Sequence, residues 1–140
     1  PQDIDQFIKS INTSSGYEFY QGVTLLHDIE KAKNPTIVKV VANNKSEIVY
    51  YSRSLIPFSK SNTPTDLHKC LGLYGYSKNF LNQYINYPES HLENIEGIEQ
   101  LRLYDMGVPI KMIKLNSDSI SIDVPDDLNR LLALHKPIFI

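Results

Sequence analysis

The sequence lacks several features that mark particular classes of protein. It contains a single cysteine, Cys70, so an internal disulfide and a zinc site built from paired cysteines are both excluded. Its longest apolar stretches span only a few residues, far fewer than the roughly 20 needed to cross a bilayer. Residues 1–15 also lack the basic-then-apolar order of a secretory signal. We therefore expect a cytoplasmic protein.

An excess of charge of one sign is also missing, because the formal net charge is only −2. Proteins that bind the phosphates of nucleic acids or the headgroups of an anionic membrane usually present a basic surface. We expect neither partner here. The sequence also contains no glycine-rich phosphate-binding loop, P-loop or nucleophile elbow.

The chain has the composition of a globular protein, with 140 residues of which 41% are hydrophobic and 21% charged. No repeat or low-complexity tract divides it, so we expect one continuous unit. Because the chain begins at Pro1 rather than Met, we expect it to have been processed, trimmed or cut.

Hydrophobic periodicity predicts an alternation of helices and strands. Helices are expected at 2–11, 78–84 and 91–105, with a helical turn at 27–33 and a last helix that opens at Pro125. Strands are expected at 17–26, 37–41, 48–53, 69–76, 108–115 and 120–123. The two strands on either side of the polar turn 43–46 should form an antiparallel hairpin. The predicted class is α/β.

The predicted helix 91–105 carries charge on its apolar face. At about 100° per residue, Glu99 and Arg102 fall in the same sector as Ile95 and Ile98. A buried charge is costly unless it is paired or meets a ligand. The pattern therefore allows an ion pair between Glu99 and Arg102 or a ligand site.

The predicted strand 69–76 has two different faces. Leu71 and Leu73 point to one side, which we expect to be core, while Cys70 and Tyr74 point to the other. The second face suits either a half-exposed sheet or a ligand pocket. Cys70 has no evident base nearby, which favours a buried, inert thiol over a nucleophile.

Asp123 lies at the end of a predicted strand and shortly before the helix that opens at Pro125. This position suits a helix cap, or a carboxylate ligand for Mg²⁺ in an open α/β sheet. The histidines lack the spacing of metal ligands, so we expect His27, His68 and His91 to be surface residues, and His135 likewise.

Four further motifs follow one another along the chain. They are Val38-Lys39-Val40-Val41 with Tyr51-Ser52-Arg53-Ser54-Leu55-Ile56-Pro57, Leu71-Gly72-Leu73-Tyr74-Gly75-Tyr76, Leu92-Glu93 with Glu96 and Glu99-Gln100-Leu101-Arg102, and Ile122-Asp123-Val124-Pro125-Asp126-Asp127-Leu128. In content and order they resemble motifs of the CMP-Kdo synthetase family, which couples CTP to 3-deoxy-manno-octulosonate (Kdo). Together they cover about residues 37–130, and a weaker match extends back to Pro1.

The resemblance implies the C-terminal part of a nucleotide-diphospho-sugar transferase-like fold. Residues 1–140 would be the sugar-binding and dimerisation portion, without the N-terminal segment that binds the nucleotide. Tyr74, Glu99 and Gln100 would contact the acidic sugar, and Asp123 would be one of two aspartates that hold Mg²⁺.

Two positions differ from the family pattern. Cys70 stands where the family has histidine, and Lys60 stands where the family has a sugar-contacting arginine. The second change replaces a planar guanidinium, which can donate two parallel hydrogen bonds, with a compact ammonium group. The sugar would therefore be Kdo or a related acidic 2-keto sugar. The resemblance implies a homodimer that uses CTP, and we expect the chain alone to be inactive. A noncatalytic dimerisation module derived from the family is the alternative.

Overall fold

The structure is a computed structural model that describes residues 2–60, 66–116 and 125–134. Its elements, in chain order, are α1 (Gln2–Thr13), β1 (Phe19–Leu25), α2 (Ile29–Ala32), β2 (Lys39–Ala42), β3 (Glu47–Ser52), β4 (His68–Tyr76), α3 (Lys78–Ile85), α4 (His91–Glu96), a 3₁₀ turn (Glu99–Leu101), α5 (Arg102–Asp105), β5 (Ile110–Lys114) and α6 (Pro125–Leu134). The predicted α/β class is confirmed.

The strands form one sheet in the order β1-β4-β2-β3-β5, which closes into a barrel because β5 also pairs with β1. The pair of β1 and β5 is parallel, and the other neighbouring pairs are antiparallel. Sequence reasoning predicted antiparallel pairing but not this closure.

The predicted hairpin is confirmed as β2 and β3, with Val40 opposite Tyr51. Its turn is held by Asn43, whose side-chain oxygen accepts hydrogen bonds from the backbone N–H groups of Lys45 at 2.9 Å and Glu47 at 3.0 Å. Such local bonds are the reason that asparagine favours turns.

Two apolar clusters cover the two sides of β4. The larger cluster includes Val23, Val40, Tyr51 and Leu101, and the smaller one includes Leu71 with residues from α1 and β5. Helix α1 lies so close to β4 that a Cβ atom at Gly75 would come within 2.6 Å of Ile11 Cδ1. A larger residue at this crossing would force the end of the Ile11 side chain to move, whereas glycine fits without any shift.

The predicted helix 91–105 is wrong in its continuity. Helix α4 ends at Gly97, which has a φ of 62°, and the chain then continues as the 3₁₀ turn and α5. Glycine ends helices in this way because it adopts the left-handed conformation without a steric penalty. Because of the break, Ile95 and Ile98 do not share one helical face: Ile95 is 65% exposed, while Ile98 is buried.

Two other predictions concern the end of the chain and the membrane. Helix α6 confirms the helix that opens at Pro125, whereas the predicted strand 120–123 lies outside the described residues. Within the described part of the chain, the helices are too short or too polar to cross a bilayer.

Candidate functional site

The candidate site begins on the face of β4 that carries Cys70 and Tyr74. On the opposite face Leu71 packs into the smaller cluster, as predicted. Tyr74 is 44% exposed, while Cys70 packs against the larger cluster. Burial raises the pKa of the Cys70 thiol far above its ordinary value, so the thiol is neutral and a poor nucleophile.

A chain of aromatic contacts joins Tyr74 to Glu99. The ring of Phe19 lies 6.2 Å from that of Tyr74 and 6.4 Å from that of Phe80, between centroids. Phe80 in turn contacts Tyr84 at 6.2 Å. The Tyr84 hydroxyl donates a hydrogen bond of 2.9 Å to the backbone oxygen of Glu99. These contacts bring two predicted sugar-binding segments to one side of the barrel.

The 3₁₀ turn presents Glu99 and Gln100. Glu99 is exposed and Gln100 is half-buried, while Leu101 anchors the turn in the core. The prediction that the Glu99 side chain lies on a buried helical face is wrong, because the turn follows the break at Gly97. The side chain is free of the penalty for burying a charge and presents an acceptor at the surface.

Of the two alternatives left open for Glu99 and Arg102, the ion pair between them is wrong, because Arg102 pairs with Glu93. The Arg102 Nε donates to Glu93 Oε2 at 2.8 Å, and Nη2 donates to Glu93 Oε1. The hydrogen bond from Arg102 holds the pKa of Glu93 below its ordinary value. The guanidinium carbon also lies 4.7 Å from the centroid of the Tyr84 ring. Arg102 therefore supports the residue that holds the Glu99 backbone.

This support was missed by sequence reasoning, although a signal for it was present. Ser90 and Glu93 form a capping box at the start of α4, in which each side chain accepts a hydrogen bond from the backbone N–H of the other residue. The spacing of serine and glutamate three residues apart is typical of such a box. The box fixes the Glu93 carboxylate for Arg102.

A buried hydroxyl lies beneath the site. The side chain of Tyr51 is fully buried, and its hydroxyl has no hydrogen-bond partner among the described residues. Burial raises the pKa of Tyr51 well above its ordinary value, and the nearby Cys70, Tyr104 and Tyr74 raise it further. The hydroxyl therefore remains a neutral donor that finds no acceptor in the part of the chain that the structure describes.

His68 corrects the prediction that the histidines are surface residues. It is only 7% exposed because β4 lies between β1 and β2, and His68 pairs with Leu25 on one side and Val40 on the other. Burial lowers the pKa of its imidazole, and the charge of Lys114 lowers it further. His27 and His91 are exposed, as predicted.

Lys60 and Asp123 are the two remaining predicted site residues. Lys60 is exposed in the segment that follows β3, and among the described residues no hydrogen bond links it to Glu99. Asp123 lies outside the described residues. Among residues 2–60, 66–116 and 125–134, no three histidine, cysteine or acidic side chains come together in a way that would hold a metal ion.

Comparison with known proteins gives the family. The family described as cytidylyltransferase matches residues 1–113. The chain belongs to the cytidylyltransferase family. The match extends from α1 to β5, which is the part of this cytidylyltransferase chain that contains the closed barrel and the candidate site.

Curated relatives agree with this assignment. A 3-deoxy-manno-octulosonate cytidylyltransferase of Wolinella succinogenes is 44% identical over 108 residues, which are 75% of this chain and 44% of the relative. The same enzyme of Thermodesulfovibrio yellowstonii is 40% identical over 140 residues, with 89% of this chain and 51% of the relative covered. The chain thus spans about half the length of the curated relatives that it matches.

A solved structure supports the fold of this cytidylyltransferase chain. It is a CMP:2-keto-3-deoxy-manno-octonic acid synthetase complexed with CTP, with a TM-score of 0.86 and 28% identity. The similarity covers 96% of this chain and 55% of that one. The predicted likeness to a nucleotidyltransferase fold is thereby confirmed.

Proposed function

We propose that this chain supplies the part of a cytidylyltransferase that binds the acidic sugar. The complete protein would transfer CMP from CTP to Kdo or a related acidic 2-keto sugar, for the synthesis of lipopolysaccharide or surface polysaccharide. The single observation that supports this most is the contact chain from Tyr74 to Glu99, in a chain whose relatives are named for this reaction.

The proposed reaction forms one bond and breaks one bond at phosphorus. The anomeric hydroxyl of the sugar attacks the α-phosphate of CTP, loses its proton, and pyrophosphate leaves. Such phosphoryl transfer depends on positioning and on neutralisation of charge more than on covalent help from side chains. The contribution of this chain is therefore to orient the sugar.

The proposed contacts divide by chemistry. Glu99 and Gln100 present acceptors and donors for sugar hydroxyls, and the Tyr74 phenol provides a hydroxyl beside an apolar ring. Lys60 would provide positive charge for the sugar carboxylate if its segment reaches the site. Cys70 would line the floor of the pocket as a neutral side chain.

We also propose Mg²⁺ and a homodimer for the complete protein. Asp123 would be one of two carboxylates for Mg²⁺, which neutralises charge on the triphosphate when it is bound. Pairing through this portion of the chain follows from the family resemblance. A noncatalytic interaction module remains the second candidate, and the replacement of the family histidine by Cys70, a buried neutral thiol, favours it.

A titration of the isolated chain with Kdo tests the sugar site. We expect weak binding that shifts the amide NMR signals of Tyr74, Glu99 and Gln100. Tyr74→Phe should weaken it, since the variant loses the phenolic hydroxyl. Tyr76→Phe is the matched control, because Tyr76 lies on the same strand at a similar exposure of 49% but has no assigned role.

Two outcomes would contradict the proposal. The first is equal binding of Kdo and of a neutral hexose, because the site would then not recognise the carboxylate. The second is a complete polypeptide carrying this chain that releases no pyrophosphate from CTP with any acidic 2-keto sugar. That result would favour the noncatalytic module.

A further inference from the structure

Three charged side chains from distant parts of the sequence meet at one end of the barrel. Lys39 comes from β2, Arg53 follows β3, and Glu96 ends α4. All three lie in motifs of the family resemblance, and none has a role in the site described above. We call them the Lys39–Arg53–Glu96 cluster.

Lys39 is fully buried, and backbone oxygens satisfy its ammonium group. Its Nζ donates hydrogen bonds to the oxygens of Asn34 at 3.1 Å and Ile37 at 2.7 Å, and also to that of Arg53. An ammonium group has three donors, so all of them are used. Lys39 thereby ties the loop before β2 to the chain that leaves β3.

Arg53 continues the connection to α4. Its Nε donates to the backbone oxygen of Glu96 at 2.7 Å, and its Nη2 donates to that of Gly97 at 3.0 Å. Its Nη1 donates to the oxygen of Pro35 at 3.0 Å. A cation suits the end of a helix, where carbonyl groups lack partners and the dipole is negative.

The Glu96 carboxylate makes the return contacts. It accepts hydrogen bonds from Ser52 Oγ at 2.7 Å and from the backbone N–H of Arg53 at 2.9 Å. The end of α4 and the end of β3 are therefore joined in both directions. A single helix end held by four charge-assisted bonds has little freedom to shift relative to the strand.

The position of the cluster relates it to the sugar site. Gly97 lies two residues before Glu99, and Arg53 lies seven residues before Lys60 in the segment that follows β3. We propose that Lys39, Arg53 and Glu96 are positioning residues. They hold the 3₁₀ turn, which carries Glu99 and Gln100, in a fixed position relative to the segment that carries Lys60. This inference rests on the proposed function for the role of those residues, but the coupling itself is a property of the fold.

A purely structural role is the alternative, and it makes a different prediction. Buried charged groups are weak contributors to stability, because the loss of their hydration offsets much of their attraction. A stabilising role alone would loosen the whole barrel when the cluster is disrupted. A positioning role would loosen the 3₁₀ turn first, although the ammonium group of Lys39 bonds to Asn34, Ile37 and Arg53 and not to the turn.

Amide hydrogen exchange of the 140-residue chain separates the two roles. In Lys39→Met we expect exchange to accelerate at Gly97 and Leu101 by about tenfold relative to Leu115, which follows β5 and lies in the smaller apolar cluster. The amides of these three residues are bonded to the oxygens of Glu93, Ile98 and Val23, respectively. Equal acceleration at the three amides, or none at Gly97 and Leu101, would overturn the inference.

Arg53→Lys is the second variant, for the case in which Lys39→Met does not fold. It keeps the charge but loses the planar fork that reaches three carbonyl groups, and we expect the same selective acceleration. Lys31→Met is the control, because Lys31 is an exposed lysine whose loss should change none of these rates.

Sugar binding provides an independent readout. Arg53→Lys should raise the Kd for Kdo by about tenfold while Lys31→Met leaves it unchanged. An unchanged Kd in Arg53→Lys would count against the positioning role. If the wild-type chain binds no Kdo, the proposed function loses its sugar site, and the exchange rates alone decide the inference.

Discussion

The hydroxyl group of Tyr51 is buried, and its removal should stabilise the protein. Tyr51→Phe removes a donor that is fully buried and has no acceptor among the described residues. A buried polar group without a partner costs about 1–3 kcal/mol, whereas the lost atom leaves only a small void. We expect the free energy of unfolding to rise by about 1 kcal/mol, which corresponds to roughly 3–6 °C in melting temperature for a chain of this length.

Tyr20→Phe is the matched control for this prediction. Tyr20 is 6% exposed, and its hydroxyl donates a hydrogen bond of 2.7 Å to the backbone oxygen of Ser14. The variant should lose about 1 kcal/mol, so the two substitutions should have opposite signs. Urea denaturation and calorimetry of both variants measure the difference. A loss of stability in Tyr51→Phe comparable to that in Tyr20→Phe would show that the Tyr51 hydroxyl has a partner, and would refute the reasoning.

Three further predictions concern charge, reactivity and metal binding. Glu93→Gln should lower the free energy of unfolding by about 2 kcal/mol at pH 7, because it breaks the paired contact with Arg102. The pKa of Glu93 in the folded chain is held below its ordinary value of 4.5. The stabilisation by the Glu93–Arg102 pair is therefore fully present above pH 4.5, and it is lost as the pH falls through the pKa of the folded chain. Urea denaturation at pH 7 and pH 3 should show the difference between variant and wild type shrink, and an equal difference at both would contradict the pair. Cys70 should react with iodoacetamide at least about a hundredfold more slowly in the folded than in the unfolded chain, because its thiol is buried and neutral. Mass spectrometry measures both rates. Equal rates would be inconsistent with this burial. Asp123→Asn in the complete protein should leave the melting temperature unchanged, because asparagine caps a helix as well as aspartate does. It should shift the Mg²⁺ dependence of turnover, because asparagine binds a cation less well. Normal turnover at low Mg²⁺ would remove Asp123 from the site.

The elements with strong local signals were predictable from the sequence. The hairpin of β2 and β3 combines β-branched residues with a turn at Asn43, and its register follows from the turn. The face of β4 that carries Leu71 follows from simple alternation. In these cases the deciding contacts lie within a few residues along the chain.

The rest of the site depends on contacts between distant residues. The apolar spacing of Ile95 and Ile98 favoured one helix, although Gly97 was a signal for its end. The mistake placed Arg102 beside Glu99 when it pairs with Glu93 instead. The contact of Tyr84 with the Glu99 backbone is set by packing of α3 against the barrel, which no local pattern contains.

The parallel pair of β1 and β5 has a consequence for synthesis of the chain. Phe19 lies opposite Ile110, so one edge of β1 has no partner until a residue about 90 positions later in the chain has been synthesised. Until then β1 presents unpaired backbone groups, which are templates for association with other chains. Contacts of such long sequence separation also slow folding. A nascent chain halted before Ile110 should therefore depend on chaperones more than one that extends past Lys114, in which β5 is present to pair with β1.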